Sequence, residues 1–402
     1  MTTFIRDPLW NNIRVEPFAL RLVDTGTFQR LRYVRQLGLA HLVYPGASHS
    51  RFEHALGAYH LAGVALSILG EHGELARAPS GDAALVRVAA LLHDVGHYPF
   101  SHALEEIGVP HHEELARPLI SDGDVGELLR AEFGNDAPQR VLEMIRGTSA
   151  SPLAGLISGS IDLDKIEYLK RDALMCGVPY GEIDVERLIN ALVVLDDPHS
   201  GHATIGITDK GLSALESLLF AKYQMYRNVY WHHAVRSATA MYKRLVEDAL
   251  AAGALETAKL VAFTDEGLLA ELRRASPSAL LGGLQRRRLW KRVAECPAAD
   301  LGDHDLEWIS TDRARTRELE NELAEHHRLQ PGDVLVDFPA KTQMLSLDLP
   351  VRLRDGRVVG LTMEGLPGAV NLPKLSEEFY RSARWLRVFA REKINVSLDD
   401  VR

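Results

Sequence analysis

The chain has 402 residues, a formal net charge of −9 and two cysteines, which is enough length for one large core plus a smaller module. The acidic balance disfavours a protein whose main task is to coat nucleic acid, and two cysteines are too few for a disulfide framework. The chain shows no signal-peptide pattern at its start and no apolar run near the roughly 20 residues of a membrane span. We therefore expect a cytoplasmic protein without a membrane segment.

Successive helices are predicted from about residue 17 to residue 241, because apolar residues recur there at three- and four-residue spacing. A short hairpin is expected near residues 193–207, where turn residues separate two β-branched runs. The clearest helical patterns cover residues 51–70, 83–93, 161–174 and 212–250.

The C-terminal part has a mixed pattern. A charged helix is predicted over residues 312–329 and another over residues 374–392, while RDGR at residues 354–357 lies between apolar alternations and indicates a hairpin. We therefore predict a mostly α-helical fold, with a helical core over residues 1–254 and a smaller α+β region over residues 255–402.

Histidine is concentrated in one part of the chain. Ten of the seventeen histidines lie between His41 and His112, and clustered imidazoles favour metal ligation or acid/base chemistry. The pair His93-Asp94 in LLHDVGHYPFSHALEE ends an apolar helical run. Such a pair offers one nitrogen and one carboxylate oxygen to a single ion. These ligands indicate a site for a hard or borderline divalent metal rather than a thiolate zinc site.

Two further helix starts carry ligand-type residues. His54 lies in SRFEHALGAYHLAG, and Asp162 and Asp164 lie in GSIDLDKIEYLKRD. A carboxylate in mostly apolar surroundings is costly to bury without a cation or hydrogen-bond donors. The three helix ends can therefore converge on one ion.

These motifs closely resemble those of the HD-domain deoxynucleoside triphosphate triphosphohydrolases. The resemblance runs almost continuously over residues 5–172 and weakens toward His233; it includes DPLWNNIRV, RLVDTGTFQRLRYVRQLG, YPGASHSRFEHALGAYHLAG and IDLDKIEYLKRD. It implies an HD-domain helical core that hydrolyses a deoxynucleoside triphosphate to deoxynucleoside and intact triphosphate. The implied metal ligands are His54, His93, Asp94 and Asp164, with Asp162 as the runner-up to Asp164.

The implied cofactor is a divalent metal ion, and Mg²⁺, Mn²⁺, Fe²⁺, Co²⁺ and Zn²⁺ all suit two histidines and two carboxylates. The resemblance also places His97, His102 and His112 against the substrate phosphates. We expect imidazolium at His97 and His112 to bind phosphate oxygens, and His102 to be the general acid to the departing 5′ oxygen. Glu105 would orient His102, although the family more usually has aspartate at that position.

Substrate contacts are implied at a second group of positions, in which the arginine forks suit phosphate and Lys165 adds a compact charge. The base preference of the family does not carry over to this chain. Val235 and Arg236 stand where the family's eukaryotic member has a tyrosine-glutamine pair. The implied contacts are Arg51, Lys165, Tyr168, Asp172, Arg227, Gln36 and Leu37.

The regulatory nucleotide site of the family is represented only in part, by Asp24, Gln29 and Arg32. Thr3 and Arg6 stand where the family has a lysine and an asparagine, so activation by a guanine nucleotide is a hypothesis. The members of the family assemble as dimers or tetramers, which implies a homo-oligomer here.

Two other functions compete with this interpretation. An HD phosphodiesterase or nucleotidase acting on mono-, cyclic or oligonucleotides would have the same metal ligands but would not need the triphosphate contacts. A non-catalytic nucleotide-sensing or nucleic-acid-binding protein would have no physical need for a complete ligand set.

Overall fold

The protein is described by a computed structural model that covers residues 3–401 except 276–277, 302–305, 340–348, 362–364 and 367–369. The described part is mostly helical with small sheets, which confirms the predicted fold class. No helix in these residues combines the length and apolarity needed to cross a membrane. The α-helices are α1 (Pro17–Val23), α2 (Gly26–Gln29), α3 (Arg51–Glu71), α4 (Asp82–Leu92), α5 (His112–Ser121), α6 (Gly123–Phe133), α7 (Ala137–Ile145), α8 (Gly155–Ser158), α9 (Leu163–Cys176), α10 (Val185–Asn190), α11 (Leu212–Met225), α12 (His233–Ala251), α13 (Asp265–Ala275), α14 (Ala279–Gln285), α15 (Trp308–Thr311), α16 (Arg313–His326) and α17 (Leu372–Ala383).

The strands form small sheets at the edges of the helical core. The strands are β1 (Thr3–Asp7), β2 (Asn11–Val15), β3 (Leu192–Asp196), β4 (Ala203–Thr208), β5 (Lys291–Pro297), β6 (Val334–Asp337), β7 (Pro350–Arg352), β8 (Val358–Gly360) and β9 (Trp385–Ala390). Their orders in the three sheets of the described residues are β1-β2, β3-β4-β7-β8 and β5-β9-β6. Both predicted hairpins are present, as β3-β4 and β7-β8, and β7 runs parallel to β4 in the sheet that they share.

Two predicted helices are shorter than expected. The helix predicted over residues 374–392 ends at Ala383, and the sequence WLRVFA after it forms β9, the central strand between β5 and β6. Its aromatic and β-branched residues fit a buried strand, and pairing on both sides overrides the local helical pattern. The pattern over residues 212–250 is interrupted by a π-helical turn at Tyr226–Tyr230, after which α12 begins.

The main core packs α3 against α4 and α9, the three helices that carry the predicted ligands. The start of α3 is stabilised by a capping box between Ser50 and Glu53, and its inner face buries Phe52, Leu56 and Tyr59. The division at residues 254 and 255 stays a prediction. Strands from both sides of it share one sheet, since β7 pairs with β4.

Candidate active site

Four predicted ligand residues meet where three helix ends converge. His54 lies in the first turn of α3, His93 caps the end of α4 and Asp94 follows it. Asp164 lies in the first turn of α9. His54 Nε2 is 2.9 Å from Asp164 Oδ1, 3.2 Å from His93 Nε2 and 3.5 Å from Asp94 Oδ2. His93 Nε2 is 3.3 Å from Asp94 Oδ1 and 3.5 Å from Asp164 Oδ1.

The other ring nitrogen of each histidine already has a partner. His54 Nδ1 is 2.6 Å from Glu167 Oε2, and His93 Nδ1 is 2.9 Å from the carbonyl oxygen of Ala90. These acceptors assign the proton of each ring to Nδ1, which leaves a lone pair on each Nε2. The two Nε2 atoms lie 3.2 Å apart, next to Asp94 and Asp164. The helix ends therefore present two nitrogens and two carboxylates as one donor set.

The two aspartates of IDLDK have different partners. Asp162 is the N-cap of α9: its Oδ1 accepts the Lys165 backbone N–H at 2.8 Å, and its other oxygen pairs with the Lys165 ammonium. Asp164 instead turns an oxygen toward both imidazoles. This geometry favours Asp164 over Asp162 as the ligand, in agreement with the choice that the resemblance implies.

Glu167 supports the ligand set from behind, and the sequence analysis did not single it out. Its Oε1 accepts hydrogen bonds from Trp10 Nε1 at 3.0 Å and from Arg171 Nε at 2.8 Å. Gly57 on α3 is needed for this approach, because a Cβ there would lie 2.0 Å from Glu167 Oε1. The signal in the sequence was its position three residues after Asp164, on the same face of α9.

A second cluster, of three imidazoles and one carboxylate, adjoins the first. The His97 and His112 rings stack with centroids 3.7 Å apart, and His97 Nε2 is 3.1 Å from Asp94 Oδ1. Glu105 joins the other two histidines, because its oxygens lie 2.9 Å from His102 Nδ1 and 2.6 Å from His112 Nδ1. Glu105 therefore makes the contact with His102 that the resemblance implies for this position, although the family usually has aspartate there.

Burial and neighbouring charges shift the pKa values of three residues in this cluster. Burial, reinforced by Arg51 and His112, holds the pKa of His97 well below its usual range. Burial lowers the pKa of His112 to about 4, although Glu105 opposes this shift. Imidazolium at these two residues is thus disfavoured in the substrate-free chain. Burial alone would raise the pKa of Glu105, but the neighbouring His102 and His112 lower it far below its usual range.

Residues of both clusters line one cavity of about 390 Å³: His93, Asp94 and Asp164 from the first, and His97, His102 and His112 from the second. Gln36 and Tyr168 lie on its wall, and Arg51 donates from Nη1 to Asp94 Oδ2 at 2.6 Å. Arg146 and Glu113 also line the cavity and were missed by the sequence analysis, since neither belongs to a recognisable motif. Leu37 is partly buried and packs against the main core.

Two of the predicted substrate contacts, Lys165 and Arg227, are bonded to other protein groups. The Lys165 ammonium donates to the carbonyl oxygen of Gly159 at 3.1 Å and lines a neighbouring cavity of about 420 Å³. Arg227 lies exposed on the π-helical turn, with Nη1 2.6 Å from the Tyr223 hydroxyl. These side chains would have to turn before they could reach a substrate at the metal cluster.

Asp172 is buried, and both of its carboxylate oxygens are occupied. Oδ1 is 2.8 Å from His49 Nε2, and Oδ2 accepts the Tyr230 hydroxyl at 2.6 Å. Neither partner was singled out from the sequence, because both lie far from Asp172 along the chain, Tyr230 by 58 residues and His49 by 123. The carboxylate is thus held rigidly behind Tyr168, which contacts Tyr230 edge to face.

The predicted regulatory residues lie at the end of α1, on α2 and on the 3₁₀ turn Arg30–Tyr33 that follows it. Gln29 Nε2 donates to the carbonyl oxygen of Val23 at 2.8 Å, and Arg32 Nε donates to Gln29 Oε1 at 2.7 Å. The Arg32 guanidinium stacks on Phe52, 3.5 Å from the ring centre. Asp24 caps α1 and is exposed.

Comparison with known proteins places the chain in a family. Residues 51–171 match the HD domain, and residues 183–364 match an HD associated region. An uncharacterized protein of Methanocaldococcus jannaschii is 35% identical over 336 residues, which is 83% of this chain and 68% of that protein. The chain belongs to the HD-domain family.

Other HD-domain relatives carry a named activity. The deoxynucleoside triphosphate triphosphohydrolase SAMHD1 of Homo sapiens is 30% identical over 268 residues, and the match covers 57% of this chain and 41% of the human enzyme. The chain thus spans less than half of the length of that relative.

A further relative has no named activity. An uncharacterized protein of Bacillus subtilis is 36% identical over 247 residues, covering 61% of this chain and 55% of that protein.

Two solved structures share the fold over almost the whole chain. A hypothetical protein from Aquifex aeolicus superimposes with a TM-score of 0.74 at 26% identity and covers 97% of both chains. A phosphohydrolase from Bacteroides thetaiotaomicron gives a TM-score of 0.73 at 24% identity, over 97% of this chain and all of that one. The C-terminal part is therefore shared with these relatives as well as the helical core.

Proposed function

We propose that the chain is a metal-dependent phosphohydrolase that converts deoxynucleoside triphosphates to deoxynucleoside and triphosphate. The observation that carries this proposal is the convergence of a four-residue donor set and an imidazole-carboxylate cluster on one cavity. The relatives named as deoxynucleoside triphosphate triphosphohydrolases support the choice of substrate.

The donor set fits a divalent cation. Ligand atoms bound about 2.0–2.1 Å from one small ion lie about 3 Å from one another. His54 Nε2, His93 Nε2 and Asp164 Oδ1 are 2.9–3.5 Å apart, and the two Asp94 oxygens lie 3.5 Å from His54 Nε2 and 3.3 Å from His93 Nε2. His54, His93, Asp94 and Asp164 would hold the ion. When bound, a divalent ion supplies a water nucleophile near neutral pH and neutralises charge on the phosphoryl oxygens.

His102 is suited to deliver a proton to the departing 5′ oxygen. Glu105 accepts the hydrogen bond from its Nδ1, so the proton to be transferred would be carried at Nε2. Its side chain is 60% exposed, whereas the ligand histidines are buried, so a substrate can reach it directly. Glu105 would keep the ring oriented and stabilise its protonated form.

His97 and His112 would bind phosphate oxygens only after the substrate has arrived. Burial lowers the pKa of both rings, which favours their neutral form in the substrate-free chain. An incoming triphosphate brings opposite charge next to the rings, which raises the pKa of an imidazole. Protonation would then accompany binding.

A smaller substrate is the second candidate, because Lys165 and Arg227 are bonded to other protein groups in the substrate-free chain. An HD phosphodiesterase or nucleotidase acting on mono-, cyclic or oligonucleotides would not need either cation. For the triphosphate, we propose that both side chains turn toward the phosphates when the substrate binds.

The deciding experiment incubates metal-loaded protein with each dNTP, each NTP, cyclic nucleotides and a short oligonucleotide, and resolves the products by chromatography. We expect deoxynucleoside plus triphosphate, and no product from an Asp94→Ala control. Turnover confined to the cyclic or oligonucleotide substrates would replace this proposal by the phosphodiesterase.

We further propose a homo-oligomer and a regulatory nucleotide at Asp24, Gln29 and Arg32. Turnover of a single pure non-guanine dNTP is measured with and without added GTP. Unchanged turnover would rule out the regulatory site. A light-scattering mass equal to that of one chain would rule out the homo-oligomer.

A further inference from the structure

The turn that leads into His102 has an unusual backbone. Phe100 and Ser101 are consecutive non-glycine residues with φ of 59° and 62°, and both are buried. Residues that carry a Cβ avoid this left-handed region, so surrounding contacts must hold the turn in place. Because the turn lies between His97 and His102, its shape determines where His102 points.

Asp265 provides the contact that holds this turn. It is the first residue of α13, outside the stretch that matches the HD domain, and its side chain is 1% exposed. Its Oδ1 accepts the backbone N–H of Phe100 at 2.7 Å. Its Oδ2 accepts the backbone N–H of Arg35 at 3.0 Å and Arg35 Nη1 at 3.1 Å.

The same contacts continue toward the metal cluster. The Ser101 hydroxyl donates to the carbonyl oxygen of Arg35 at 2.6 Å and accepts from Arg51 Nε at 2.9 Å. Arg51 in turn donates to Asp94. One buried carboxylate thus ties the segment that precedes Gln36 to the turn that precedes His102.

A second connection joins the segment before α13 to the same loop. Arg30 donates from Nη1 to the carbonyl oxygen of Phe263 at 3.0 Å. Its Nη2 donates to the carbonyl oxygens of Val95 at 3.0 Å and His97 at 2.7 Å. Residues 263–265 are therefore fastened to the turn at Phe100 and, through Arg30, to the loop that precedes it.

We propose that Asp265 is a positioning residue of the active site, which holds the Phe100–Ser101 turn in the left-handed conformation that directs His102 toward the substrate. Asp265 touches neither the donor set nor the cavity wall, so it acts through the turn. The catalytic part of this inference rests on the proposed function, whereas the hold on the turn does not.

The catalytic part is tested by a double-mutant cycle in the full-length, metal-loaded protein. Asp265→Ala is expected to lower kcat by about 10–100-fold, since a small misplacement of a catalytic group has an effect of that size. KM and bound metal should be unchanged. In a His102→Ala background, Asp265→Ala should lower kcat by less than about threefold, because the group that it positions is already absent.

An equal fold-loss in both backgrounds would overturn the proposal and reduce Asp265 to a structural residue. Asp265→Asn is the second variant, because its amide oxygen can still accept the Phe100 N–H, and it should retain more of kcat than Asp265→Ala. Asp82→Asn is the matched control. Asp82 is 3% exposed and pairs with Arg140 at 2.7 Å, and kcat should be unchanged in this variant.

The contact of Asp265 with the Phe100–Ser101 turn is tested by a measurement that does not depend on enzymatic activity. Hydrogen–deuterium exchange of the segment over residues 98–107 should become faster in Asp265→Ala, while exchange in α9 stays as in the wild type. Unchanged exchange in that segment would overturn the inference even if the protein hydrolyses nucleotides. Faster exchange in a protein that turns over no nucleotide would support the hold on the turn and reject only the proposed function.

Discussion

The proposed metal ligands and two of the proposed triphosphate contacts, Lys165 and Arg227, differ in how far they are assembled without a ligand. The ligand atoms of His54, His93 and Asp164 lie within 3.5 Å of one another, and His54 and His93 are buried. The long side chains of Lys165 and Arg227 are instead bonded to other protein groups, the lysine to Asp162 and the carbonyl oxygen of Gly159 and the arginine to the Tyr223 hydroxyl.

The difference follows from length and burial. Short side chains at the ends of packed helices have few rotamers, and their second ring nitrogens are held by Glu167 and a backbone carbonyl. A lysine or arginine side chain has more rotatable bonds, so it can exchange one partner for another at an entropic cost. The proposed metal ligands are thus brought together by core packing, whereas Lys165 and Arg227 would change partners when a substrate binds.

The largest expected effect comes from Asp164→Asn. Removing one carboxylate from the donor set should abolish metal retention, measured by elemental analysis, and lower kcat by about 10³-fold or more. Asp162→Asn is the control, because asparagine is also a good N-cap and should leave the metal in place. If Asp162→Asn lost the metal and Asp164→Asn kept it, the two roles would be exchanged.

His102→Ala should lower kcat by about 10²–10⁴-fold, the usual contribution of a general acid, with bound metal unchanged. The measurement is steady-state turnover of the best dNTP substrate found. His72→Ala removes an exposed histidine at the end of α3 and should behave like the wild type. A small kcat effect combined with loss of metal would instead assign His102 to metal binding.

Glu167→Gln should weaken metal binding by about 10–100-fold, because the amide cannot accept from His54, Trp10 and Arg171 as the carboxylate does. Titration with a metal-chelating competitor measures this affinity. Glu186→Gln on the exposed face of α10 serves as the control. Unchanged affinity would show that core packing alone orients His54.

The smallest expected effect is that of Lys165→Ala. If the lysine turns to the phosphates only on binding, KM for the triphosphate should rise about tenfold with kcat nearly constant, as for a contact made equally in ground and transition states. Lys170→Ala is the control on the same helix, since Lys170 donates to the carbonyl oxygen of Ile183. A fall in kcat at constant KM would mean that Lys165 acts in the transition state.

Much of the helical core could be predicted from apolar spacing alone. The helix predicted over residues 51–70 corresponds to Arg51–Glu71, and that over residues 83–93 to Asp82–Leu92. Residues 385–390 were misassigned because WLRVFA suits either a buried helix or a strand. Only its pairing with β5 and β6 decides between the two.

The sequence by itself determined which residue types stand at the helix ends, and with them the family and the residues of the metal cluster. What only the tertiary structure decided were the partners of those residues. Glu167 meets His54 across 113 residues and Asp265 meets Phe100 across 165. Periodicity and motifs report on neighbours along a helix or strand, whereas hydrogen bonds between distant segments depend on how the finished core brings those segments together.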